Sequence, residues 1–261
     1  MFRQLATTLA AAALTASFAV HAGPMEDKGL AIAKEANARD TGWKDTAAEL
    51  TMLLKNKQGE SSSRELRAKS LEVLSDGDKS LMIFNTPADV KGTALLSFAH
   101  KTADDEQWLY LPALKRVKRI ASDNKSGPFM GSEFAYEDIT PQEVEKYTYK
   151  FVKDDKLDGV DVFVFERYPV DKNSGYTRQI VSMDKQHYRI HKIDYYDRKS
   201  ALLKTLTFKG YKQYGKFWRA ADMAMVNHQT GKSTQLVWKD YKFGSGLTER
   251  EFDQNALARA R

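Results

Sequence analysis

The chain contains no cysteine at all. Disulfide staples, thiol catalysis, thiolate metal ligands and a lipid-modified cysteine are therefore excluded. The fold must hold by its core alone, and any membrane contact must be non-covalent. Motifs of covalent and phosphoryl chemistry are missing as well. No glycine-rich loop opens a helix to cradle phosphate, and the serines of Gly131-Ser132-Glu133 and Gly244-Ser245-Gly246 lack the flanks of a hydrolase elbow. The acidic pairs Asp104-Asp105 and Asp154-Asp155 fall in expected turns, where they solvate the loop. His100, His187, His191 and His228 are scattered. His187 and His191 lie in strand-like sequence, where a four-residue step spans about 13 Å, too far for a shared metal. No metal, cofactor or catalytic residue is expected, and the chain reads as a binding protein rather than an enzyme.

Long apolar runs are also scarce. The single one, Leu5 to Val20, follows Arg3 and ends in Val20-His21-Ala22, with small residues where a signal peptidase requires them. This order predicts a signal peptide over residues 1–22, cleaved after Ala22, and export to the periplasm. An uncleaved anchor is the alternative. Residues 23–261 then form one domain, expected to be a monomer. The formal charge of +6 points, in an exported chain, to anionic headgroups or an acidic partner face rather than to nucleic acid. Solubility alone is the plainer explanation.

What is present is mostly period two. A helix is predicted from Pro24 to about Asp40, with Pro24 in the first turn and Leu30, Ala33, Ala36 and Ala38 as a narrow small-residue face. From Ala47 onward about a dozen apolar-alternating runs follow, separated by turns such as Asp76-Gly77-Asp78 and Asp158-Gly159. Ser126-Gly127-Pro128 and Gly131 interrupt them over residues 121–147, where Thr140-Pro141-Gln142-Glu143 suggests a capping box, and Thr248 to Glu251 suggests a second. Many strands without βαβ spacing predict an α+β, mostly β fold. Its antiparallel sheet must curve strongly into an incomplete barrel, with helices covering the concave face.

The aromatic inventory is rich, with 12 Tyr and 13 Phe. Phe129, Met130, Phe134 and Tyr136 crowd the central loop, which must either cover a cavity as a lid or fold into the core. Lys115, Arg116, Lys118 and Arg119 form the densest basic cluster. On a strand, Arg116 and Lys118 share one face and Lys115 and Arg119 the other. Such a strand suits an unpaired sheet edge, or it docks a headgroup or an acidic partner.

Specific strings carry a resemblance. DEQWLYLPALKRVKRI, KSGPFMGSEFAYEDI, YYDRKSALLKTL and GLTEREF resemble the LolA-like outer-membrane lipoprotein-sorting protein family, over about Trp43 to Leu257. The resemblance implies a bent, incomplete barrel plugged by helices, of a kind that carries lipoprotein acyl chains or other lipids, or senses them, and that serves inner-membrane lipid transporters. It also implies an early-strand arginine that holds a helical lid, a role open to Arg64 or Arg67. The leading expectation is a carrier of lipid or lipoprotein acyl chains towards the outer membrane. Its expected lining is Met52, Leu54, Phe84, Leu96, Trp108 and Tyr110, with Phe129, Met130 and Phe134 as lid. The alternative is a cargo-free sensor or adaptor for an inner-membrane transporter. An enzyme acting on lipid or glycan has no motif in its favour.

Overall fold

The computed structural model describes residues 23–259, so the expected signal segment and its cleavage after Ala22 lie outside the described residues. Helix α1 spans Pro24–Asp40, as the periodicity predicts, with Pro24 in its first turn. Strands β1 (Asp45–Lys55), β2 (Ser61–Leu71), β3 (Lys79–Thr86), β4 (Ala94–Phe98), β5 (Glu106–Leu111) and β6 (Arg116–Ile120) follow. After a long connection come β7 (Tyr147–Leu157), β8 (Val160–Pro169), β9 (Tyr176–Asp184), β10 (Ile190–Asp197) and β11 (Leu202–Lys209). A short hairpin, β12 (Lys212–Tyr214) and β13 (Phe217–Arg219), precedes β14 (Asp222–Asn227) and β15 (Ser233–Phe243).

Thirteen of these strands form one antiparallel sheet in the order β6-β5-β4-β3-β2-β1-β15-β14-β11-β10-β9-β8-β7. The chain starts in the middle, walks out to the β6 edge, and resumes at the opposite edge with β7. Residues 121–146 must therefore cross one face of the sheet, and they cross the concave one. Ile120 and Leu109 near one edge share a core with Tyr149 and Phe151 at the other, with Phe129 and Phe134 of the crossing segment between them. Side chains from both ends of a sheet this wide can meet in one core only if it curls. It curls without closing, and the expected incomplete barrel is what forms. The crossing segment is its plug.

The two faces carry separate cores. Opposite the plug, Leu81, Ile83, Ala94, Leu96 and Trp108 pack against Phe252 and Leu257 of the C-terminal turns. In those turns Glu251 accepts the Thr248 N–H at 2.8 Å, the reach-back expected of a capping box. The Thr140 to Glu143 string behaves differently. Only a single 3₁₀ turn, Val144–Lys146, follows it, and the Glu143 carboxylate instead accepts the Asp78 N–H at 3.1 Å. The β12–β13 hairpin interrupts the main sheet between β11 and β14. Gly210 takes a positive φ of 64°, and the Ala221 N–H bonds the Lys209 and Gly210 carbonyls, folding β12–β13 out of the sheet.

Candidate functional site

The register sets two rows of side chains across the concave face of the β7–β14 half. One is apolar: Phe151, Phe165, Val181, Ile193, Leu206 and Met225 are successive cross-strand partners. The next row is polar, with Tyr149, Arg167, Gln179, Tyr195, Lys204 and Asn227 paired in the same way. A polar row on a buried face must find partners, and the plug supplies most of them. Lys204 Nζ donates to Asp138 Oδ2 at 2.6 Å and to the Glu133 carbonyl at 2.9 Å, with both side chains of the pair almost fully buried. Tyr176 Oη donates to Asp138 Oδ1 at 2.8 Å, and Asn227 Nδ2 to Glu133 Oε2 at 2.7 Å. Glu137 accepts from Ser174 Oγ and the Gly175 N–H at 2.7 and 2.8 Å. Burial, and then the neighbouring Asp138 charge, push the Glu137 carboxyl up to about 7.

Helix α1 lies over the far end of this half. Gly29, Ile32 and Ala33 are its buried positions, and Ala36 continues the stripe while Ala38 is exposed. The small face is thus shifted from the expected one, because contact follows the 29, 32/33, 36 spacing. A β-carbon on Gly29 would stand 2.9 Å from the Lys150 and Phe151 nitrogens, so only glycine permits this approach to β7. The other end of the helix is held by polar ties. Arg219 Nη1 meets Asp40 at 2.6 Å, Lys216 Nζ the Thr41 carbonyl at 2.7 Å, and Arg39 the Gln186 carbonyl at 3.0 Å.

Between these attachments, beside the buried Ile32 and Ala33, a cleft of about 700 Å³ remains open. Ala33 and Ala36 form its roof, and Phe165, Met183, Ile190 and Phe208 its apolar wall. Tyr188, Tyr211 and Trp218 stand around it, and Arg167 of the polar row opens onto it. Adjoining hollows of about 520 and 300 Å³ share lining residues with it and with each other, and they continue along the plug towards Trp238 and Met82.

The residues singled out from sequence lie mostly elsewhere. Met52 and Phe84 are buried in the concave core beside the plug, and Phe129 packs on Phe84 with ring centroids 5.7 Å apart. Phe134 borders the 300 Å³ hollow and Leu54 a separate recess of about 270 Å³. Leu96, Trp108 and Tyr110 are on the opposite face, under the C-terminal turns. That assignment of face is corrected by the register: Leu96 pairs with Trp108, while Leu95 and Leu109 point to the plug. Strands β4 and β5 are apolar on both sides, so alternation gives no face. Phe129 and Phe134 are fully buried and Met130 half-buried, filling the hollow rather than covering the large cleft.

Of the two early-strand arginines, Arg64 is on the plug side. Its Nη1 donates to the Met130 carbonyl at 2.6 Å and its guanidinium is 5.8 Å from the Phe84 ring. Arg67 pairs with Ile83 and faces away. The basic cluster forms the β6 edge, with residues 116–119 all exposed. Arg116 and Lys118 share the face of Ile120, Arg119 meets Glu106 at 2.8 Å, and Lys115 precedes the strand at a positive φ of 47°. The cleft residues of β8–β11 were missed. Their usable signal was the hydrogen-bonding positions Arg167, Gln179, Tyr195 and Lys204 recurring in step on the consecutive strands β8 to β11.

A family model described as an uncharacterized protein matches residues 76–259. A crystal structure of an outer-membrane lipoprotein-sorting protein domain from Vibrio parahaemolyticus is 61% identical, covering 90% of this chain and 100% of that one at a TM-score of 0.88. A DUF1329 family protein from Desulfovibrio piger is 29% identical, with 89% and 99% covered and a TM-score of 0.85. A LolA superfamily protein from Nitrosomonas europaea shares the fold at 16% identity, with 87% and 98% covered and a TM-score of 0.71. No functionally curated protein matches the sequence.

Proposed function

The chain belongs to the LolA-like family of outer-membrane lipoprotein-sorting proteins, and from that premise we propose that it is a periplasmic carrier. It takes a lipid or lipoprotein acyl chain into the cleft beneath α1 and passes it towards the outer membrane. The observation that carries this reading is the unfilled cleft of about 700 Å³ between α1 and β8–β11, with an apolar wall of Phe165, Met183, Ile190 and Phe208 and a polar rim. That size is typical of a small-ligand site. Each buried methylene contributes about 0.8 kcal/mol, so ten give roughly 8 kcal/mol before the costs of association. Such an affinity allows both loading and release. The work is binding and transfer, with no bond made or broken.

Native mass spectrometry of the freshly purified protein tests it, with Ala36→Trp as the variant that fills the cleft roof. The expected result is a bound lipid in the wild type and its loss in the variant, with the two melting at similar temperatures once the wild type is delipidated. Wild-type protein that is always empty, and that takes up no fluorescent fatty acid, rules the carrier reading out.

A second reading, a sensor or adaptor for an inner-membrane transporter, is favoured by the exposed basic edge at β6. There Arg116→Glu with Lys118→Glu abolishes transporter pull-down and leaves lipid content unchanged. Loss of lipid with intact pull-down would count against the adaptor.

A further inference from the structure

The cations around the cleft are nearly all committed. Arg189 is paired with Asp184 at 2.7 Å, Arg39 with Glu35 at 2.7 Å and Arg219 with Asp40 at 2.6 Å. Lys216 is bound to the Thr41 carbonyl. Glu143, the other acid on the wall, is occupied by the Asp78 N–H. Arg167 is the exception. Among the described residues it forms no salt bridge, and the plug's acids beyond it are held by Lys204, Tyr176, Ser174 and Gly175.

Its position is nevertheless built. Nε donates to Oε1 of the buried Gln179 at 2.6 Å, and the guanidinium lies 4.4 Å from the Tyr147 ring centroid. Those two contacts fix the plane of the fork, and among the described residues neither Nη makes a hydrogen bond. The side chain is half-buried and lines the cleft, on the same strand face as Phe165. An oriented arginine fork beside an apolar wall matches the two-oxygen edge of a carboxylate or phosphate attached to a hydrocarbon.

We infer that Arg167 is the headgroup site of the cleft, and that the preferred cargo is an amphiphile with an anionic head, carboxylate or phosphate, whose chain lies along Phe165, Met183, Ile190 and Phe208. This rests on the cleft being the cargo site. Arg167 pairs with the head through two parallel N–H···O bonds while Gln179 and Tyr147 keep the fork in place.

Fluorescence titration of the full chain with parinaric acid and its methyl ester tests this directly, because the two share one acyl chain and the ester's head is uncharged. Wild-type protein binds the acid on the order of tenfold more tightly than the ester. Arg167→Met brings the acid down to the ester's affinity and leaves the ester unchanged, and Arg167→Lys keeps part of the difference. Displacement by lysophosphatidic acid but not by lysophosphatidylcholine, lost in Arg167→Met, assigns the phosphate head. Displacement by oleic acid alone assigns the carboxylate. Equal wild-type affinity for acid and ester, or an equal loss of both in Arg167→Met, overturns the headgroup site and leaves the carrier reading standing. Binding of neither probe overturns both.

Discussion

The two flanks of the sheet are built from the same antiparallel strands and end in opposite states. On the β1–β6 flank both faces are packed, save the hollow of about 300 Å³ beside Met82: the plug's Phe129 and Phe134 occupy the concave side, and Phe252 with Leu257 the other. On the β7–β11 flank the concave side meets the plug along its polar row and α1 at its far end, and the space between stays open. The difference lies in what faces each half. Phenylalanines reach into one, while the helix over the other presents alanines. The denser packing and the larger open cleft thus lie at different ends of one continuous sheet.

Paired truncations give the largest test of that division. Phe129→Ala on the filled flank removes a fully buried ring that packs on Phe84 and Tyr136. It should cost about 3–5 kcal/mol in denaturant unfolding. Phe208→Ala removes a half-buried cleft residue and should cost under about 1 kcal/mol while weakening ligand binding. Similar costs for both would show that the cleft is closed in solution. Next in size is the seam between the flanks. Lys204→Met leaves the Asp138 carboxylate buried without its cation, an expected loss of about 3 kcal/mol. Adding Asp138→Leu removes the stranded charge and should recover much of it, although Tyr176 and the Ala135 N–H then lose their acceptor. A double variant no better than the single would mean that the pair does not carry the seam.

The legible and illegible parts of the sequence divide along the same line. Helix α1 was readable because Pro24 and the alanines give a helical period in a chain otherwise of period two. The curled, open sheet followed from strand number and the absence of βαβ spacing. Facing did not follow wherever both sides are buried. Leu95-Leu96 and Trp108-Leu109 read as apolar runs, and only the pairing of Leu96 with Trp108 tells which side each one takes. The cleft was hidden for a related reason: its walls come from four hairpin strands and a helix over a hundred residues earlier. Local alternation carries no information about that juxtaposition. Arg64 and Arg67 are three apart and hence on opposite faces, which parity announces, but which of them meets the plug depends on the same unreadable facing.

The smallest expected effect sharpens the comparison where the plug meets the open flank. Glu137 is held by Ser174 and Gly175 of the β8–β9 connection, and burial together with Asp138 raises its carboxyl to about 7 from 4.5. The folded chain therefore binds this proton more tightly than the unfolded chain. The resulting stabilisation is complete below about 4.5 and is lost as pH rises through about 7. Melting temperature should accordingly climb by a few degrees between pH 7.5 and 5.5, equivalent to about 1–2 kcal/mol. Asp78, raised to about 6 chiefly by burial, adds a share of its own that is confined to the lower part of that window. Glu137→Gln should flatten the upper part of the slope and leave the Asp78 part. If the wild-type slope is absent, this end of the plug is open to water, and the polar seam ends at Lys204 rather than continuing to the Ser174 turn. If the slope is present and ligand binding also strengthens on the acid side in wild type but not in Glu137→Gln, then firm seating of the plug at this corner helps to shape the neighbouring cleft.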